Sequence, residues 1–342
     1  LKRFRIVVRS PNPLGDACMS VPAVRAIKRG RPDCELAVLC PENLVGFWGR
    51  VSDVDTVIPR PKSASNRAVG KSLSEAGPFD VAVLLPNSPR SAIEAKHAHI
   101  PRIVGYPAKW RDRLVDQKIP PRDATAGPRP HHANHYLKIA RCAGADLSDK
   151  TIFDPPHADG EQTNLLIGIS AGAEYGPAKC WPPERFVEAA QKVTATRPAA
   201  RFVLFGTKGE ASIGEQLMAG LGGHAENRIG KTDLEGLMDE LHRCAALITN
   251  DTGTMHLAAF LGVPVVAIFG STEPAWTGPI GKRHEVLRHH VPCSPCFLRE
   301  CPLDFRCMRA IEPEEVADAV GRILGSATDS DSANPDRDGA EQ

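Results

Sequence analysis

Aromatic residues are scarce, with Phe, Trp and Tyr together 5% of 342 residues. No apolar run reaches the roughly 18 residues that a membrane-spanning helix needs. Net charge is +1, from 42 Lys and Arg against 41 Asp and Glu, so the global positive excess of a dedicated nucleic-acid binder is missing. There is no Gly-x-Gly-x-x-Gly. Gly230-Lys231-Thr232 resembles the end of a phosphate-binding P-loop, but the first glycine position is Ala225. The opening segment Leu1-Lys-Arg-Phe-Arg-Ile-Val-Val-Arg9 lacks an initiator Met and turns polar too soon for a signal peptide. The 10 Cys are too few for a disulfide framework at this length, and read as thiols of a cytosolic protein.

What is present suits an ordinary globular chain with a core of normal size, not a disordered, fibrous or collagen-like one. Hydrophobic residues make up 42% and charged residues 24%, and at about 150 residues per domain the length suggests two domains. Charge is unevenly divided: 25 basic against 16 acidic residues in 1–160, and 17 against 25 in 161–342. Either the first half meets an anionic partner or it is a solvated basic surface.

Short β-branched runs alternate with helical patterns, which predicts parallel βαβ units. In the first half the strands are Arg5–Val8, Glu35–Cys40, Thr56–Ile58, Val81–Leu85 and Arg102–Val104; the helices are Ala17–Lys28, Ser91–Ala98 and Ala133–Cys142. Segments 122–130 and 154–163 are rich in Pro, Gly, Asp and His and mark a break. The rhythm restarts at Leu165–Ile169 and continues through strands near 201–205, 246–249 and 263–269 to a helix Glu314–Leu324 with Pro313 at its first position. Domains are expected at 1–160 and 161–325, followed by a disordered acidic tail, 326–342. Pro61–Ser74 and Pro107–Gln117 read as loops. Two such domains would present a cleft at the carboxyl ends of their strands, where open α/β sheets bind ligands.

Five strings carry chemistry. Pro13-Leu-Gly-Asp16 follows the first strand, and Asp16 is either a helix cap or a general base. Ile169-Ser-Ala-Gly-Ala-Glu-Tyr-Gly-Pro-Ala-Lys-Cys-Trp-Pro182 offers small residues whose amides can approach an anion. Its Lys179 either neutralises phosphate or is solvated. Thr249-Asn-Asp-Thr-Gly-Thr-Met-His256 opens a helix, with an N-terminus suited to an anion. Asp251 there caps the helix or accepts from sugar hydroxyls, and His256 packs inward or acts. In Phe205-Gly-Thr-Lys-Gly-Glu210, Glu210 holds a ribose diol or is a first-turn acid. Cys293, Cys296, Cys301 and Cys307 have a spacing compatible with a structural zinc site or with four ordinary thiols. Asp53-Val-Asp55 precedes a strand and reads as loop, so no carboxylate pair stands near the phosphate motifs to hold a catalytic metal.

Leu14-Gly-Asp16, Gly172-Ala-Glu-Tyr-Gly-Pro-Ala-Lys179 with Trp181-Pro182, and Asn250-Asp-Thr-Gly-Thr-Met-His256 resemble, in order, the lipopolysaccharide heptosyltransferases of glycosyltransferase family 9. The likeness runs from about residue 3 to 324. It implies a GT-B fold, two Rossmann-like domains with parallel sheets facing across a cleft. The first domain would bind acceptor and the second the ADP-sugar. The implied reaction is inverting, metal-independent transfer of L-glycero-D-manno-heptose from ADP-heptose to a heptosyl-Kdo2-lipid A inner core. It implies Asp16 as base and Lys179 on the donor phosphates, with Ser170, Ala171, Glu210, Asp251, Thr252, Gly253 and His256 around the donor. Cys180 stands where a basic residue is common in the family. The setting implied is cytoplasmic, peripheral at the cytoplasmic face of the inner membrane, without nucleic acid. Other readings are another family 9 transferase, a non-catalytic two-lobed sugar-binding protein, or a nucleotide-sugar epimerase.

Overall fold

The computed structural model describes residues 3–108, 110–120, 128–156 and 165–329. The chain divides into two units, one of Leu1–Pro156 with Ala275–Ile280, the other of His157–Pro274 with Gly281–Gln342. The sequence boundaries leave 275–280 in the second domain, yet its carbonyls bond to the first unit. Trp276 O accepts from His132 N at 2.8 Å and Gly278 O lies 2.9 Å from His131 Nε2.

The first unit runs β1 (Arg5–Arg9), α1 (Leu14–Gly30), β2 (Glu35–Pro41), α2 (Val45–Gly49), β3 (Thr56–Arg60), α3 (Asn66–Glu75), β4 (Val81–Leu84), α4 (Pro89–His97), β5 (Arg102–Gly105), β6 (Gln117–Lys118) and α5 (Ala133–Arg141). Its six strands are parallel, in the order β3-β2-β1-β4-β5-β6. The central strands are buried on both faces, so Ile6, Val7 and Val8 are apolar without alternation. Strand order reverses between β1 and β4, and the chain leaving β1 enters α1 at that switch point, which places Asp16 there.

One expectation fails here. Pro61–Ser74 is not a loop throughout, because α3 begins at Asn66. Ser65 caps it, its Oγ accepting from Ala68 N at 3.2 Å. Only Val69, Gly70 and Leu73 face inward, and a stripe that narrow is masked by its Ser, Asn and Lys neighbours. In Pro107–Gln117 the chain makes a 3-10 turn at Arg111–Arg113 before β6.

The second unit contains β7 (Leu166–Ser170), α6 (Pro183–Thr196), β8 (Arg201–Leu204), α7 (Ala211–Leu221), β9 (Ala225–Asn227), α8 (Leu234–His242), β10 (Ala246–Asn250), α9 (Gly253–Phe260), β11 (Val265–Phe269), the start of α10 (Pro274–Thr277), β12 (His284–Arg288), α11 (Arg306–Arg309) and α12 (Pro313–Asp329). The order β12-β11-β10-β7-β8-β9 is again all parallel. Here the reversal lies between β7 and β10. Trp181 and Phe186, ring centroids 4.9 Å apart, anchor the core under α6. The expected tail from 326 is corrected at its start: α12 continues to Asp329, since Ser326-Ala-Thr-Asp329 holds no residue that stops a helix. The rest of that tail, 330–342, lies outside the described residues, as do 122–127 and 157–163 of the expected break.

Candidate active site

Two loops of the second unit leave β7 and β10 side by side at the switch point. Asn250, the last residue of β10, stitches them. Its Nδ2 donates to Ala171 O at 2.6 Å, and its Oδ1 accepts from Trp181 N at 3.0 Å. The Ala171 carbonyl is thereby occupied, and Ser170, paired with Thr249, is buried. Lys179 and Asp251 then meet: Nζ lies 2.6 Å from Oδ2, and Thr272 Oγ1 donates to the same oxygen at 2.7 Å. Asp251 is therefore no helix cap. The cap position of α9 belongs to Thr252, whose side chain makes no capping bond, and Gly253 is the first helical residue. The first amides of α9 carry the partial positive charge of a helix start. His256 is buried on the second turn of α9.

The loop that carries Lys179 is held from a distant stretch of sequence. Tyr175 Oη donates to Phe297 O at 2.8 Å, Arg299 Nε donates to Tyr175 O at 2.7 Å, and Ala178 N donates to Arg299 O at 3.0 Å. Both Lys179 Nζ, at 4.8 Å from the centroid, and Arg299 Cζ, at 5.3 Å, lie over the Tyr175 ring. Gly176 turns at φ 145°, and a Cβ there would meet the Arg299 carbonyl. The same stretch reaches the loop after β11, where Phe297 N donates to Ser271 O at 2.8 Å and Ser294 Oγ to Gly270 O at 2.5 Å.

Glu210 closes a capping box, its Oε2 accepting from Thr207 N at 2.6 Å and Thr207 Oγ1 at 3.0 Å. Its carboxyl rests on Gly172, where a Cβ would collide with it. Burial first, then the Glu210 carboxylate, push the Cys180 thiol up to about 11, so Cys180 stays neutral next to Lys179. The four clustered cysteines are free thiols, Cys293 exposed and Cys307 buried. Among the described residues no group of three or more His, Cys, Asp or Glu is arranged to hold a metal ion.

In the first unit Asp16 is the third residue of α1, after Pro13 at the cap position. A third-position acid closes a capping box on the cap residue's N–H, and proline has none. The box is thus closed to Asp16. Its carboxylate instead lies beside α5, with Oδ1 3.8 Å from His132 Nε2. Burial lowers the pKa of His132 and the Asp16 charge opposes that shift.

Sequence reasoning missed Asn250 as a stitch, Thr272, Tyr175 and Arg299 around Lys179, and His132 and Tyr136 around Asp16. For the last pair a signal existed: His131-His-Ala-Asn-His-Tyr136 places His132 and Tyr136 four apart, on one helix face.

Residues 66–305 match glycosyltransferase family 9 (heptosyltransferase). Lipopolysaccharide heptosyltransferase 2 of Salmonella typhimurium is 30% identical over 313 residues, 83% of this chain and 88% of that protein. Lipooligosaccharide heptosyltransferase 2 of Campylobacter jejuni serotype O:2 is 31% identical over 337 residues, 94% of this chain and 98% of that one. The solved structure of E. coli ADP-heptose lps heptosyltransferase II aligns with a TM-score of 0.78 at 27% identity, covering 95% of this chain and all 100% of the other. A family 9 glycosyl transferase from Veillonella parvula aligns at 0.80 and 22% identity, covering 95% and 98%, which bears on the fold alone. The expected GT-B class and the two parallel sheets agree with these neighbours. With the family match spanning 66–305 and the three motifs standing at the carboxyl ends of β1, β7 and β10, this chain is a glycosyltransferase and belongs to glycosyltransferase family 9.

Proposed function

We propose that this enzyme transfers L-glycero-D-manno-heptose from ADP-heptose to the anionic inner core of lipopolysaccharide, a heptosyl-Kdo2-lipid A, with inversion at the anomeric carbon. The observation that carries the donor half is the Lys179–Asp251 pair at the second switch point, beside the start of α9. A diphosphate there meets a lysine ammonium and helix amides of fixed orientation. Both stabilise the charge that ADP gains as it leaves, without calling on a metal. Ser170, Ala171, Glu210, Thr252, Gly253 and His256 line the donor in this reading, with Glu210 toward the ribose. The second unit binds donor and the first binds acceptor.

In the acceptor unit Asp16 takes the proton of the attacking hydroxyl. The new C–O bond forms as the bond from the anomeric carbon to the β-phosphate oxygen breaks. The similarity to heptosyltransferases 2 over most of the chain favours the second heptose addition over the first. The enzyme works in the cytoplasm at the inner-membrane surface. Trp110, 80% exposed beside exposed Arg113, suits contact with an anionic interface. Among the described residues no helix is long and apolar enough to cross a membrane. A zinc on Cys293, Cys296, Cys301 and Cys307 would brace the stretch that holds Tyr175 and serve folding, which metal analysis of purified protein tests.

The deciding experiment supplies ADP-heptose with purified lipid A–core acceptors and follows ADP release and product mass. Release that depends on the heptosyl acceptor, unchanged by EDTA, is expected. ADP release without acceptor, a nucleotide-linked product, or loss in EDTA restored by Mg²⁺ overturns the assignment.

A further inference from the structure

The N-terminal turn of α5 packs on α1 and brings an unusual group of rings to Asp16. His132 Nε2 lies 3.8 Å from Asp16 Oδ1 and 3.1 Å from Tyr136 Oη. The His132 ring stands edge-on to Tyr136, centroids 5.0 Å apart at 84°. It is also parallel to His135 at 5.5 Å, and His135 in turn stacks on Tyr106 at 4.0 Å. The backbone is pinned as well, by His132 N to Trp276 O and by His131, whose Nδ1 accepts from Ala133 N at 3.2 Å while Nε2 donates to Gly278 O. Two ring contacts and a backbone bond thus hold His132 beside the carboxylate.

Tyr136 is 3% exposed and hydrogen-bonded to Asp16. Burial, then the Asp16 charge and that bond, push the phenol pKa well up, so it remains a neutral donor. One arrangement satisfies all three groups: the Tyr136 hydroxyl donates to the Asp16 carboxylate and its oxygen accepts from His132 Nε2–H.

We propose that His132 and Tyr136 are positioning residues for Asp16, fixing which carboxylate oxygen faces the acceptor hydroxyl. The proposal rests on Asp16 acting as the base. His132 touches Tyr136 and Tyr136 touches Asp16, so both act through the carboxylate and neither needs to reach substrate. When Asp16 takes the acceptor proton, the phenol bond remains and holds the carboxyl for release of that proton to water.

The test compares Asp16→Asn, Tyr136→Phe, His132→Gln and the two double variants that include Asp16→Asn. Tyr136→Phe and His132→Gln should each lower kcat by about 10–100-fold, with KM for ADP-heptose unchanged within about twofold. In the Asp16→Asn background neither should lower the residual rate further, since a positioning residue has nothing left to position. A merely structural role would instead give losses that multiply in that background, and this result overturns the proposal. So does full kcat in both single variants. If Asp16→Asn itself keeps turnover within about tenfold, the base assignment fails first. Thermal melts accompany each variant. Should Tyr136→Phe not fold, His132→Ala, which loses the donor to the phenol altogether, should lower kcat further than His132→Gln, whose amide keeps a weakened one; equal kcat in the two overturns the proposal.

Discussion

Lys179 and Asp251 form a nearly buried ion pair, 13% and 6% exposed, that joins the loops after β7 and β10. Two opposite charges out of water hold each other firmly, and neither is easily removed alone. Lys179→Ala should lower turnover by ~10²–10³, the loss expected of about 3–4 kcal/mol of preorganised stabilisation. Lys179→Arg should not fully restore it, because a planar fork replaces a compact charge. Steady-state rates with saturating acceptor decide this, and a loss below tenfold would reduce Lys179 to a structural partner.

Asp251→Ala leaves the ammonium and the Thr272 hydroxyl facing an emptied site. Stability should fall by about 3–5 kcal/mol, as for breaking a buried pair from one side. Urea unfolding measures it, and a change under about 1 kcal/mol would mean that solvent replaces the carboxylate easily.

Gly176→Ala combines an unfavourable φ with a collision against the Arg299 carbonyl. A cost of at least about 1–3 kcal/mol is expected, together with a raised KM for ADP-heptose, because the turn leads directly into Lys179. Unchanged donor affinity in a destabilised protein would separate the turn from the site.

Arg299→Ala removes the bond to Tyr175 O and one of the two cations over that ring. Donor KM should rise while acceptor KM stays constant, with a stability loss of about 0.5–1.5 kcal/mol. Equal effects on both constants would argue for a general loosening of the unit.

His135 provides a pH prediction. Burial first, then the charges of His132, Arg129, Lys138 and Arg111, lower its pKa from 6.5 to about 4. Between those values the unfolded chain binds a proton that the folded protein refuses. Stability is therefore retained above pH 6.5 and lost as the pH falls toward 4. His135→Phe keeps a ring against Tyr106 and should flatten the stability–pH curve in that window. An unchanged slope in denaturant titrations would show that the ring titrates freely.

The alternation of β-branched runs and helices was legible because each central strand is buried on both faces, and local composition reports that burial directly. The strings after β7 and β10 were legible for a related reason: a tight approach at Gly172 and a stitch at Asn250 demand particular residues at fixed spacing. The clamp on Lys179 was not, since Tyr175 and Arg299 lie 124 residues apart and only the fold pairs them. Asp16 stayed ambiguous for the same reason, as its companions His132 and Tyr136 sit at the cap and in the first turn of α5. Pro61–Ser74 misled because α3 buries so few side chains that its polar surface dominates the pattern.

The six residues 275–280 give the first unit a piece that arrives late in the chain. A ribosome finishes β1 through α5 long before it makes Trp276 and Gly278, the carbonyls that pin His131 and His132. Cutting the gene at residue 156 would therefore yield a first fragment with its histidine turn untethered. The halves are not modules to be exchanged at that point. A synthetic peptide spanning 272–283, added in trans, is the natural complement for such a fragment, and hybrids between relatives should carry this segment with the first unit.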